Sequence, residues 1–269
     1  MTLQLEHVDK WFPARRRNAP QHVLRDVSLE IPGGEFVSLI GHSGCGKSTL
    51  LNVVAGLEQA SSGSVRLDGA AVTAPGPDRA IVFQHYSLLP RLSLYDNVRT
   101  AVRAARPDLA GEADSLAEHY LAGVGLWEHR AKRPHEVSGG MQQRTAVARA
   151  FAVEPRLLLL DEPFGALDAL TRGRLQLQLI DLWQSESKTE TVLMVTHGIE
   201  EAIFLADRII VMGNPPGPSI VADIPVPIAR PRDRTTLLED PTYNAVYEQL
   251  WHVLLGDEAR GPALRENVA

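Results

Sequence analysis

Apolar positions recur along this chain in three rhythms. Near the start they alternate with polar ones, in LQLEHVDKWF (3–12) and VLRDVSLEI (23–31), on either side of the loop PARRRNAPQ. Period-two spacing is that of a half-buried strand, so the two segments predict an antiparallel beginning. Further on, apolar residues come in short unbroken runs: FVSLI (36–40) after the turn PGGE, then RLLLLDEP (156–163), TVLMVTH (191–197) and RIIVMG (208–213). Runs of that length predict strands buried on both faces, as in a parallel sheet. The third rhythm is helical. Leu50, Val53, Val54 and Leu57 share one helix face, RGRLQLQLIDLW (172–183) reads as a helix, and so does most of 85–150, which is rich in Ala, Leu and charged residues.

Strands that alternate with helices predict an α/β fold with a mostly parallel sheet, preceded by an antiparallel β part. The expected division places residues 2–84 and 151–212 in the α/β core, and residues 85–150 in an inserted helical subdomain. Residues 213–269 form a short C-terminal extension that opens with proline-broken NPPGP and IPVPIARPRDR and turns helical near YNAVYEQLWHVLL. That extension is too short for a domain of ordinary size, so residues 1–269 are expected to form one domain.

Charge and cysteine content narrow the function. With 27 Lys+Arg against 33 Asp+Glu in 269 residues, the formal charge is −6. Such a balance lacks the basic field of a nucleic-acid binder, and no nucleic-acid partner is expected. The basic triplet Arg15, Arg16 and Arg17 either touches phosphate or a membrane surface or is simply a solvated loop. One cysteine, Cys45, allows neither an internal disulfide nor a Cys-cluster metal site. The opening residues do not follow a signal-peptide pattern, and no apolar run reaches the length that spans a bilayer. The expected location is the cytoplasm, with membrane work done through a partner.

The chemistry lies at the strand ends. Gly41 to Ser48, GHSGCGKS, fits G-x-x-x-x-G-K-[ST] and stands between a strand and a helix. Gly41, Gly44 and Gly46 let the backbone of Gly41, His42, Ser43, Gly44, Cys45, Gly46, Lys47, Ser48 and Thr49 wrap around the phosphates of a nucleotide. Lys47 adds a point charge, and the Ser48 hydroxyl can ligate Mg²⁺. A strand ending in Asp161 and Glu162 supplies the acidic half: Asp161 is placed to hold the metal through water, and Glu162 to accept a hydrogen bond from an attacking water. Gln84, after AIVF, and His197, after TVLMVT, occupy the same kind of strand end, where open α/β sheets bind their ligands. Gln84 there could reach the metal or the lytic water. Cys45, beside a helix N-terminus, is either a reactive thiol or a small residue tolerated in a tight loop.

These motifs, in this order, resemble the ATP-binding cassette (ABC) family over residues 2–212: GHSGCGKST, the glutamine of VFQ, VSGGMQQR (137–144), LLLLDEP, GALD (165–168) and the histidine of VTH. The resemblance implies a P-loop ATPase core that binds ATP and Mg²⁺. It implies that Glu162 is the catalytic carboxylate, that Gln84 senses the γ-phosphate and metal, and that His197 holds the γ-phosphate. Asp168 would lie at a subunit contact, and Phe12, with Trp11 as the alternative, would stack on adenine. It also implies a head-to-tail dimer, homo- or heteromeric, in which Ser138, Gly139 and Gly140 of one subunit grip the γ-phosphate held by the phosphate loop of the other. Two positions of the signature depart from the family pattern: Val137 replaces leucine and Met141 replaces glutamine. Gly198 stands where aspartate commonly follows the histidine, and so could loosen the turn that aims His197.

Three kinds of cassette remain open: the ATPase subunit of a multi-subunit importer, a soluble cassette acting on ribosomes or DNA, and a cassette detached from a fused exporter. The acidic balance and the absence of a membrane-spanning run favour the importer. HYSLLPRLSLYDNV (85–98), DEPFGALDALTRG (161–173), EEAIFLADRIIVM and PVPIARPRDR resemble the importers of nitrate, taurine and other sulfonates, and cyanate, with a lean toward the nitrate branch. The partners so implied are a second cassette, integral membrane permease subunits and, indirectly, a substrate-binding protein, with the cassette peripheral on the inner face of the cell membrane. Leu88, Leu89, Pro90 and Leu92 either receive a helix of the permease or pack inside the subdomain. No regulatory domain is expected in the tail.

Overall fold

The computed structural model describes residues 1–13, 20–185 and 187–258, so the basic triplet at 15–17 lies outside the described residues. In chain order the elements are β1 (Thr2–Phe12), β2 (Gln21–Pro32), β3 (Phe36–Gly41), α1 (Lys47–Ala55), β4 (Ser62–Leu67), β5 (Ala70–Ala71), β6 (Arg79–Val82), α2 (Leu94–Ala105) and α3 (Ala113–Gly123). There follow α4 (Gly139–Ala152), β7 (Leu157–Asp161), α5 (Ala169–Gln184), β8 (Thr191–Val195), α6 (Ile199–Leu205), β9 (Arg208–Met212), β10 (Ile220–Pro225), α7 (Arg234–Leu237) and α8 (Pro241–Glu258). By internal contacts the chain divides into a strand-rich unit, Thr2–Thr73 with Val195 onward, and a helix-rich unit, Ala74–Met194 with Met1. These limits differ from the composition boundaries at 84 and 151, because β6, β7 and most of β8 group with the helices.

In the strand-rich unit, β1 pairs antiparallel with both β2 and β4, in the order β2-β1-β4-β5. Alternation puts Leu3, Leu5 and Val8 on the buried face. The step from Leu5 to Val8 is accommodated by a register shift and by His7 at φ +49. The unbroken run of β3 is buried along its length and pairs parallel with β9, while β10 covers the other edge of β9 antiparallel. β4 (SGSVRL) and β10 (IVADIP) interleave polar and apolar residues without an unbroken apolar run, and β5 is two residues long, so none of them stands out in the apolar pattern. One expectation needs correcting: Leu57 does not extend α1. Gly56, at φ +76, closes the helix with its N–H on the Asn52 and Val53 carbonyls, and Leu57 lies beyond it, 47% exposed.

The C-terminal extension is tied into this unit. Arg232, with its side chain 2% exposed, donates Nη1 to the carbonyls of Ile203 (2.7 Å), Phe204 (3.3 Å) and Ala206 (2.7 Å) at the end of α6, and Nη2 to Ile228 (2.8 Å). Burial pulls this guanidinium down to about 10, well below the usual arginine range. It is still charged at neutral pH.

In the helix-rich unit, β6 and β7 pair parallel, β8 lies beside β7, and α2, α3 and α4 pack on one another. Val98, Val102, Ala117, Leu121, Val147 and Phe151 are fully buried among these helices. Ser93 caps α2 by accepting from the Asp96 N–H, and Asp168 caps α5 by accepting from Leu170 and Thr171.

Candidate nucleotide site

The phosphate loop belongs to the strand-rich unit. It leaves β3 at Gly41 and enters α1 at Lys47, with Gly44 at φ +84 and Gly46 at φ +106. A side chain at Gly41 would place Cβ 2.3 Å from the Met212 carbonyl oxygen, and one at Gly46 would meet Leu24 at 2.9 Å. The backbone curl therefore needs glycine at both positions. Lys47 is buried inside the curl, with Nζ donating to the Gly41 (2.7 Å) and His42 (2.9 Å) carbonyls. Cys45 is fully buried, and the Lys47 ammonium lies 3.8 Å from its sulfur, so it fills the loop and presents no accessible thiol. Ser48 is exposed on the first turn of α1.

The same unit carries His197 and Phe12. The Thr196 N–H donates to the Leu39 carbonyl (3.1 Å), which sets exposed His197 beside the end of β3. Gly198 offers α6 no side-chain cap; Thr196 Oγ1 accepts the Gly198 N–H (3.1 Å) and donates to Glu201, so the turn is fastened from its neighbours. Phe12 is half-buried, with the Lys10 ammonium 5.0 Å from its ring centroid. Trp11 stacks on His22 with centroids 3.5 Å apart, so one face of its indole is already covered.

The acidic strand end lies in the helix-rich unit. Asp161 ends β7, and Glu162 follows at φ +47, a conformation that costs a non-glycine residue about 1–3 kcal/mol and is concentrated at functional positions. Gln84 donates Nε2 to Glu162 Oε2 (3.1 Å), so these two are brought together. Ser138 is the N-cap of α4, its Oγ accepting the Met141 N–H (3.3 Å), which leaves the hydroxyl proton available to a ligand. Cβ atoms at Gly139 and Gly140 would lie 3.2 Å from Tyr86 Oη and 2.7 Å from Thr171 Cγ2. Met141 contributes its backbone to this turn, so losing a glutamine amide there leaves the cap intact. Asp168 is exposed, and the Thr171 and Leu170 N–H groups hold its carboxyl below the usual range. Leu170 beside it is 80% exposed.

Three sets of contacts escaped the motif reading. Asn97, fully buried, accepts the Leu89 N–H (2.7 Å) and donates to the carbonyls of Leu89 (3.1 Å), Leu92 (3.3 Å) and Ser93 (2.9 Å), fixing the apolar loop in which Leu89 is 48% exposed. His42 Nε2 donates to the Leu254 carbonyl (3.1 Å), linking the phosphate loop to α8. Arg149 holds the turn after Gln84, Nη1 to the Ser87 and Nη2 to the Tyr86 carbonyl.

A divalent cation fits the donor chemistry. Among the described residues there is no group of three or more His, Cys, Asp or Glu that could hold a metal ion. Each unit by itself offers oxygen donors of the kind a hydrated divalent cation takes: the exposed Ser48 hydroxyl in the strand-rich unit, and the Gln84 amide and Asp161 carboxylate in the helix-rich one.

Residues 24–165 match the family model described as "ABC transporter". The chain is 51% identical to the nitrate import ATP-binding protein NrtD of Synechococcus elongatus, over 90% of this chain and 87% of that protein. It is 48% identical to the bicarbonate transport ATP-binding protein CmpD of Synechocystis sp., over 90% and 84%. The solved dimeric structure of a post-hydrolysis state of the ATP-binding cassette MJ0796 bound to ADP and Pi aligns with TM-score 0.72 at 29% identity, covering 84% of this chain and all of that one.

Proposed function

This chain belongs to the ABC transporter family, and on that premise we propose that it is the ATP-hydrolysing subunit of an importer for a small inorganic anion. The observation that carries the nucleotide-binding part of this reading is the glycine curl at 41–46, which admits no side chain at Gly41 or Gly46 and buries Lys47 at the head of α1; the likeness to NrtD and CmpD supports the importer part. Phe12 would receive the adenine, and the loop N–H groups and Lys47 the phosphates. By the family likeness Ser48, Gln84 and Asp161 would each serve to hold Mg²⁺, which when bound would supply charge neutralisation for phosphoryl transfer. Glu162 accepts a proton from, or polarises, the attacking water; Gln84 orients the carboxylate through the bond they share. His197 steadies the γ-phosphate.

Ser138 and the N–H groups of Gly139 and Gly140 are placed to grip a γ-phosphate presented by a second cassette, consistent with the dimeric state of the MJ0796 structure. ATP then favours the closed dimer by binding it more tightly than the open one, and hydrolysis removes that preference. Within the helix-rich unit, the loop fixed by Asn97 borders a cavity of about 530 Å³ lined by Ser93, Tyr95, Asp96, Trp127, Arg130 and Ala131. That surface, with exposed Leu89 and Pro90, suits a short helix of a permease subunit. No described helix is long and apolar enough to cross a membrane. A permease contact of this kind would place the cassette on the inner face of the cell membrane.

The Glu162→Gln variant tests the mechanism: it should bind ATP, largely stop hydrolysing it, and accumulate as a nucleotide-bound dimer in gel filtration. Full activity in that variant would refute it. For the anion, NrtD favours nitrate, and the likeness to CmpD adds bicarbonate, which the motifs alone did not suggest. ATPase stimulation in the reconstituted complex by a nitrate-loaded or a bicarbonate-loaded binding protein decides between them.

A further inference from the structure

The turn that follows Gln84 is held in an unusual shape by one distant side chain. Tyr86 (φ +51) and Ser87 (φ +49) are consecutive non-glycine residues in the left-handed region, which chirality makes unfavourable for each. The Tyr86 N–H reaches the Phe83 carbonyl (3.2 Å), and the Ser87 N–H reaches that of His85, so the turn doubles back tightly on Gln84. Their own carbonyls point to Arg149 on α4: Nη1 to Ser87 (2.7 Å) and Nη2 to Tyr86 (3.0 Å). Burial pulls the Arg149 guanidinium below the usual arginine range, so the fold keeps a desolvated cation at this spot. The planar fork reaches the two carbonyls with two separate nitrogens at a fixed spacing, which the single nitrogen of a shorter lysine side chain does not reproduce.

Tyr86 also touches the other end of α4. Its hydroxyl lies 3.2 Å from where a Cβ on Gly139 would be, directly after the Ser138 cap. One residue of the turn therefore meets α4 at Arg149 by its backbone and at Gly139 by its side chain. Gln84, two residues before Tyr86, contacts Glu162.

We propose that Arg149 is a positioning residue: by clamping the Tyr86 and Ser87 carbonyls it fixes Gln84 on Glu162 and couples that pair to the Ser138–Gly140 turn. This rests on the ATPase reading above. Arg149 acts through the shape of the turn, by the two carbonyls it holds.

The test uses the purified full chain with ATP. Arg149→Lys should lower kcat about ten-fold while KM for ATP stays within about two-fold, since the loss falls on the hydrolytic step and not on binding. Adding Ser87→Gly, which relieves the steric cost of the left-handed conformation, should recover most of the lost kcat. A role confined to the stability of α4 would not be rescued by a glycine in another loop. Wild-type kcat in Arg149→Lys, an equal change in KM and kcat, or no recovery in the double variant would each overturn the proposal. Absence of ATPase activity in the wild-type chain would instead overturn the reading on which it rests, and this inference with it.

Discussion

Replacing Arg232 by methionine sets two large effects against each other. Methionine keeps most of the length and apolar bulk but removes every donor. The guanidinium makes three short bonds, to the carbonyls of Ile203 (2.7 Å), Ala206 (2.7 Å) and Ile228 (2.8 Å). Leaving a buried acceptor unpaired costs about 1–3 kcal/mol; at the lower end of that range the three together cost about 3 kcal/mol. Against this, the depression of Arg232 to about 10, caused first by burial and then by repulsion from Arg230, means that removing the cation returns some free energy. Asp207 keeps Arg230 at 2.8 Å, so no carboxylate is stranded. The carbonyl term should win by about 2 kcal/mol, lowering Tm by about 4–8 °C for a chain of this size. Thermal unfolding followed by circular dichroism measures the loss, and hydrogen exchange at the α6 amides locates it. Since α6 begins at Ile199, directly after His197 and Gly198, kcat for ATP should fall as well. An unchanged or higher Tm would show that desolvation of the cation dominates, and the account of Arg232 as a clasp on α6 would be wrong.

Phe12→Ala should weaken ATP binding about five-fold or more, the equivalent of a lost base–aromatic stack of at least about 1 kcal/mol, with kcat little changed; titration of a fluorescent ATP analogue checks it, and an equal loss in Trp11→Ala alone would transfer the role to Trp11. Acid stability should depend on Glu190, whose carboxyl is held below the usual range first by Arg156 (2.7 Å). A depressed folded pKa gives stability that is present above the unfolded value and is lost as pH falls through the folded one. Urea midpoints of Glu190→Gln should therefore converge on those of the parent chain as pH falls from about 6 to about 3; a constant gap across that range would contradict the ion-pair assignment.

What the sequence disclosed and what it concealed divide along a physical line. The phosphate loop and the Ser138–Gly140 turn were readable because their geometry is encoded locally. Gly46 must be glycine to hold φ +106 against Leu24, and Ser138 must cap α4 from its own N-terminus. Buried strands announced themselves by unbroken apolar runs. Arg149, Arg232, Asn97 and the His42–Leu254 contact share the opposite property: each donates to backbone carbonyls, mostly far away in the chain. A carbonyl belongs to every residue, so such a bond names no partner in the sequence, and an isolated arginine or asparagine carries no pattern. The same reasoning accounts for two of the three departures from the family motifs, Met141 and Gly198. At Met141 the contribution to the turn is the N–H that Ser138 accepts, which any non-proline residue supplies. At Gly198 the missing cap is made good by Thr196, which accepts the glycine N–H and donates to Glu201, so the turn carrying His197 is tied by residues on either side of the one that changed.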